Sequence, residues 1–301
     1  MMNPVFESSA RRRMRSWKTP LVITAYLCAL LALSASQLTA FMGQGVSVGR
    51  MRLGIECYIW LTAIQLLLIV LVAPALSAVS IAGERERQTF DLLLVTGIGT
   101  RRIVMGKMME SFSFLALLIL SGAPVQALVL LTGGVTLGDV VMTLLYLAAI
   151  AFAALSVGMV ASVLMRRSLT AIIVSYLSIF AIGALAWALA KHGPLAAKYT
   201  YKSLQALADM PVWQILAGMP VTIFFCPPVG LVMLLASQTG ILHMTMEHTM
   251  RLNDIYSAAR YAGFGSVSMA SLGAVMLAAA GMTALAILLL TLQTQVRRRK
   301  G

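Results

Sequence analysis

An all-α, polytopic membrane protein with about six transmembrane helices is the fold class that this sequence predicts. Three observations predict it. The 301 residues are 60% hydrophobic and only 11% charged, with a mean hydropathy of +0.90. A soluble domain carries about 25% charged residues. Several apolar runs reach the roughly 20 residues that a bilayer crossing takes. Lys and Arg gather at the ends of those runs, as topology signals do. A soluble core is thereby excluded. The net charge of +13 does not point to nucleic acid, because no basic patch with interleaved aromatics is left over from the run ends.

The chain divides into an N-terminal segment (1–19), a membrane domain (20–296) and a basic tail (297–301). In the first segment, Arg11, Arg12, Arg13, Arg15 and Lys18 stand among Val5, Phe6, Met14 and Trp17. That composition suits a helix lying on an anionic leaflet with Trp17 at headgroup depth, and it also suits a plain basic tail. A basic region followed by so long an apolar run, without a small-residue cleavage site, is not the pattern of a removable signal.

Pro20 opens the first span, which runs to about Met42; proline is tolerated at a first helical turn. Gly43–Glu56 reads as a loop, and Tyr58–Ala82 as the second span, kinked at Pro74. The charged segment 83–107 follows. The third span starts at about Met108, and Gly133–Gly138 reads as a turn. Asp139 helps to start the fourth span, which ends near Met165. Arg166 and Arg167 make a short basic turn before a fifth span at Leu169–Ala190. The outer-side segment 191–264 is polar at both ends. Its apolar middle, Val212–Ala236, is broken by Pro220, Pro227 and Pro228. The last run is Gly265–Leu292. Small residues recur every fourth position at Ala154, Gly158 and Ser162, and at Ala270, Ala274 and Ala278, which permits close helix packing.

Charge placement decides how the proline-broken segment is read. With six spans and both termini inside, the inner side holds Arg11, Arg12, Arg13, Arg15, Lys18, Arg85, Arg87, Arg101, Arg102, Lys107, Arg166, Arg167 and Arg297 to Lys300. The outer side holds Arg50, Arg52, Lys191, Lys198, Lys202, Arg251 and Arg260. A full crossing by Val212–Ala236 would put the terminal basic cluster outside, against the positive-inside rule. The segment is therefore expected to be re-entrant or interfacial, between spans five and six.

The most charged internal stretch is GERERQTFDLLLVTGIGTRRIVMGK, Gly83 to Lys107. Glu84 to Arg87 place acidic residues near the expected start of a short helix, where they favour its dipole. Phe90, Leu93, Leu94 and Gly97 fall at i, i+3, i+4 and i+7, one apolar face of that helix. By composition it is either a helix that docks in a partner's groove or a solvated loop along the headgroups. The motif adds a resemblance. Gly83-Glu84-Arg85-Glu86, then Thr89, Leu92-Leu93-Leu94 and Ile103-Val104-Met105-Gly106-Lys107, is similar to the cytoplasmic signature of ABC-2 type transporter permeases. The opening Asn3-Pro4-Val5-Phe6 resembles many members too. Two departures stand out: Gln88 where the family usually has Gly before the Thr, and Gly97 where it often has Pro.

The resemblance implies that Glu84 to Leu94 is a coupling helix. Glu84, Arg85, Glu86, Arg87, Thr89, Phe90, Leu93 and Leu94 would then meet an ABC ATP-binding subunit. It implies a second permease copy, identical or related, and an interfacial N-terminal helix carrying Arg11, Arg12, Arg13, Arg15 and Trp17 against lipid. It further implies a bacterial cytoplasmic membrane, with ATP and magnesium in the partner subunit and no cofactor in this chain. An exporter is the expected role, and an ATP-independent secondary transporter or channel is the alternative.

Other chemistries find little support. The Gly106-Lys107 pair misses the P-loop spacing, and Met108 stands where Ser or Thr would bind magnesium. His243, Glu247 and His248 miss the zincin spacing by one residue. Cys57 and Cys226 can share the outer side, which leaves a disulfide open, but their spacing fits no framework. Acidic residues are scarce within the spans, which argues against ion-coupled transport.

Overall fold

The structure is a computed structural model. It describes residues 24, 26–28, 30–32, 35–36, 47–90, 99–132, 135–192, 227–239 and 264–300. Six helices follow one another there: α1 (Ser47–Glu86), α2 (Thr100–Leu128), α3 (Leu137–Leu164), α4 (Ser168–His192), α5 (Pro227–Thr239) and α6 (Phe264–Lys300). A 3-10 turn, Val129–Thr132, extends α2. The described positions between Thr24 and Ser36 are helical as well. No strand occurs among the described residues. Five helices there are long and apolar enough to cross a membrane: Gly54–Glu86, Thr100–Ala127, Leu137–Leu164, Ser168–Leu185 and Ser268–Gln295. Much of the expected first span, and of the segment 191–264, lies outside the described residues.

Several boundaries differ from the sequence reading. The helix that carries the second span already includes Ser47, so most of the expected Gly43–Glu56 loop is helix, and it runs on to Glu86. From Ser47 to Ala82 only Gly49, Gly54 and Pro74 oppose a helix, and at about 1.5 Å per residue α1 reaches beyond the bilayer. The third span starts at Thr100, so Arg101, Arg102 and Lys107 ride on its first turns. The last helix continues past Leu292 to Lys300. Gly138, expected in a turn, lies inside α3.

Where the code is local, the sequence reading agrees with the structure. The Thr136 side chain and backbone N–H engage Asp139 in a capping box, with Thr136 N–H donating to Asp139 Oδ2 at 2.8 Å and Asp139 N–H to Thr136 Oγ1 at 3.3 Å. At its other end α3 stops at Leu164. Arg166 and Arg167 then turn the chain into α4.

The central helix is α3, which packs against α1, α2, α4, α5 and α6. Its small-residue stripe meets α1. At Gly158 an added Cβ would lie 2.8 Å from the Pro74 carbonyl oxygen, so only glycine lets the two backbones come so close. One turn further, Ser162 Oγ accepts from Ile81 N–H and Ala82 N–H at 2.9 Å each. On α6 the buried stripe is Ser268, Ser271, Val275 and Ala279 rather than Ala270, Ala274 and Ala278, which are only half-buried. The sequence alone favours neither stripe, because both are small.

At one end of the bundle, Tyr58 donates to Thr143 Oγ1 at 2.7 Å, and Gln238 Nε2 donates to the Asp139 carbonyl at 3.1 Å. The described residues of α5, Pro227–Thr239, cover about 20 Å. Gln238 sits at the Asp139 level. Gly230 faces Tyr146 and Ser271, about 10 Å further along α3. Over these residues α5 therefore runs alongside α3, with Leu231, Leu234 and Leu235 in the core. α4 is peripheral; Leu169, Ile173, Leu177 and Phe180 all point outward.

Candidate functional site

The charged stretch falls at the opposite end of the bundle. Glu84, Arg85 and Glu86 form the last turn of α1 rather than the start of a new helix, which corrects the dipole argument made for them. Carboxylates at a helix C-terminus oppose its dipole, so their placement must be maintained by specific partners. The described residues supply these.

Glu84 Oε1 receives Lys107 Nζ at 2.7 Å, joining α1 to α2. Glu110 stands 3.9 Å from the same ammonium. Arg85 reaches sideways: Nη1 donates to the Val163 carbonyl at 2.7 Å and Nη2 to Gln293 Oε1 at 2.7 Å. Gln293 Nε2 also donates to Val163 O at 3.3 Å. The guanidinium lies 5.1 Å from the centre of the Phe90 ring. Glu86 turns the other way. Its Oε2 accepts from Ser168 N–H at 3.0 Å and from the Ser168 hydroxyl.

The polarity of these contacts is physically sensible. Val163 O is among the orphan carbonyls at the end of α3, where a cation is favoured. Ser168 N–H is among the orphan amides at the start of α4, where an anion is favoured. Two successive side chains of α1, one positive and one negative, therefore hold the two sides of the α3–α4 turn. Thr100 and Thr291 share a hydrogen bond of 3.0 Å, which ties α2 to α6 at the same level. A displacement of the chain just after Glu86 would act on α1, α2, α3, α4 and α6 together.

The turn that follows has a defined form. Thr89 N–H donates to Glu84 O at 2.9 Å and Gln88 N–H to Arg85 O at 3.1 Å, with Gln88 at φ 58°. This is a Schellman motif, whose left-handed position glycine normally fills. Gln88 is also the position at which the chain departs from the glycine of the resembled signature. Glu86, Arg87, Gln88 and Thr89 are exposed, and Phe90 is buried beneath Arg85. Leu93 and Leu94 lie outside the described residues, as do Arg11, Arg12, Arg13, Arg15 and Trp17. His243, Glu247, His248 and Cys226 do as well, so neither the metal reading nor the disulfide can be placed. Among the described residues no group of three or more His, Cys, Asp or Glu is set to hold a metal.

Sequence reasoning did not find Val163, Ser168 and Gln293. Ser168, directly after Arg166-Arg167 and ahead of an apolar run, carried a helix-start signal. The Gln293 side chain and the Val163 carbonyl carried none.

These features define a class: a multi-pass helical membrane protein with most of the charges of its described helices at one end of the bundle. The match to known families is more specific. The family described as ABC-2 family transporter protein matches residues 4–294. The chain belongs to that family, and so is a permease component of ABC transport. No curated protein matches it.

Proposed function

We propose that this chain is the permease of an ABC exporter in a bacterial cytoplasmic membrane, energised by a separate ATP-binding subunit. Six spans place both termini in the cytoplasm, and α5 is a re-entrant helix on the outer side. Two permease copies enclose the path. The exposed turn at Arg87 to Thr89, with the stretch that continues to Leu94, docks on the ATPase, and the N-terminal basic segment lies on the inner leaflet. Nucleotide and magnesium belong to the partner.

The observation that carries this reading is the junction at the end of α1. Arg85, Arg87, Arg101, Arg102, Lys107, Arg166, Arg167 and the Arg297–Lys300 cluster all fall at one end of the bundle. The positive-inside rule makes that end cytoplasmic. Arg85 and Glu86 link the exposed turn to α3, α4 and α6 there, and Glu84 adds α2 through Lys107. ATP-driven closure of the partner would thus shift several helices as one body. In this reading Glu84 and Arg85 act inside the permease, while Arg87 and Thr89 face the ATPase.

The test is purification of the tagged protein from its native membrane in mild detergent, assayed for ATPase activity. A P-loop chain in stoichiometric amount, lost with Arg87→Glu but retained with Arg260→Glu on the outer side, is the expected result. Isolation of the permease with no ATPase would overturn it.

A further inference from the structure

We propose that the groove between the start of α2 and the last turns of α6 is a site for an anionic phospholipid of the cytoplasmic leaflet. The groove is lined by Arg101 and Met105 on α2, and on α6 by residues including Ala284, Ile287, Leu288 and Thr291. Its volume is about 670 Å³. Two features select an amphiphile.

The first is its length. On α6 the lining runs from Thr283 to Gln295, which is about 18 Å of helix. One leaflet of a bilayer is about 15 Å of hydrocarbon. The groove therefore accepts one acyl chain along its length, where a compact ligand would leave much of it empty.

The second is its polarity. Thr100 bonds to Thr291, which sets Arg101 beside the Thr291–Gln295 end. Deeper in, the walls are Met105, Ile287, Leu288 and Ala284. The hydroxyls present are already engaged: Thr291 donates to Ile287 O at 2.6 Å and Thr283 to Ala280 O at 2.7 Å. Among the described residues Arg101 is exposed and has no carboxylate partner. An exposed cation over an apolar slot complements a phosphate headgroup above an acyl chain. A second copy of this chain is a weaker fit, since it would have to bury that cation in an apolar contact.

The choice of leaflet rests on the proposed orientation. Binding needs no ATPase, so the experiment can fail while the transport reading stands. Purified protein in nonionic detergent is mixed with equal amounts of phosphatidylglycerol and phosphatidylcholine of matched chains, and bound lipid is counted by native mass spectrometry. One phosphatidylglycerol should be retained with about fivefold preference, the effect of one basic side chain near the headgroup. Arg101→Gln should bring the preference to about one. Ala284→Trp, which fills the slot, should lose both lipids while helicity by circular dichroism is unchanged. No preference in the unaltered protein, or a preference that survives both substitutions, overturns the proposal. A third result overturns it as well: Met105→Cys cross-linking to a second copy in membranes would show that the groove is a protein contact.

Discussion

Removing Arg85 should loosen the cytoplasmic end of the bundle in a way that depends on Gln293. The side chain donates two charge-assisted hydrogen bonds of 2.7 Å, to Val163 O and Gln293 Oε1. Such bonds contribute about 1.5–3 kcal/mol each, and the stacking on Phe90 adds about 0.5–1 kcal/mol. Arg85 is half-buried, so solvent screening favours the low end. Gln293 Nε2 also still reaches Val163 O, which keeps that carbonyl from being orphaned. Arg85→Ala should therefore cost about 2 kcal/mol. Gln293→Ala should cost about 1 kcal/mol, and the double variant less than the sum, with a coupling of about 1 kcal/mol. Reversible unfolding in mixed dodecyl sulfate and maltoside micelles measures all three. A coupling energy of zero, or an Arg85→Ala cost below about 0.5 kcal/mol, would refute the junction.

Three further outcomes follow from the same assay. Gln88→Gly should stabilise by about 1 kcal/mol, because it relieves a side chain held at φ 58°; a loss of stability would mean that the turn is not left-handed. Gly158→Ala should destabilise by about 1–3 kcal/mol, since its methyl meets the Pro74 backbone. Gly183→Ala, with open space around it, should instead stabilise by about 0.5 kcal/mol, and equal effects would contradict the close crossing of α1 and α3. Thr136→Ala removes the capping box of α3 and should cost about 1 kcal/mol, with no change expected at the opposite end of the bundle.

Much of the fold was legible because membrane spans are written locally. Asp139 and the Arg166–Arg167 turn bound α3 by residues next to it in sequence, and the structure keeps both, adding Thr136 as the partner of Asp139 in the cap. The end of α1 was misplaced for the opposite reason. Charge was taken to mark the edge of a span, yet Glu84 and Arg85 stay helical, Glu84 paired with Lys107 on the next helix and Arg85 received by partners far along the chain. Val163 lies 78 residues away and Gln293 lies 208 away. No periodicity within Gly83–Lys107 encodes such contacts. The sequence marked this stretch as the centre of interest. It did not show that Glu84 and Arg85 face inward while Arg87 and Thr89 face water. Likewise, three prolines pointed to a broken segment. That α5 packs Leu231, Leu234 and Leu235 into the core depends on Tyr146 and Ser271 opposite Gly230, which no local pattern announces.

The most direct test of the central claim is site-specific cross-linking from the exposed turn. With Cys28, Cys57 and Cys226 replaced by serine, Thr89→Cys is reacted in native membranes with a short thiol-to-amine cross-linker, and the product is identified by mass spectrometry. The account predicts an adduct with a P-loop ATPase chain whose yield changes when ATP is added, and no such adduct from Leu169→Cys on the outward face of α4. Thr89→Cys joined only to lipid-facing proteins or to nothing, in membranes where the ATPase is present, would contradict it.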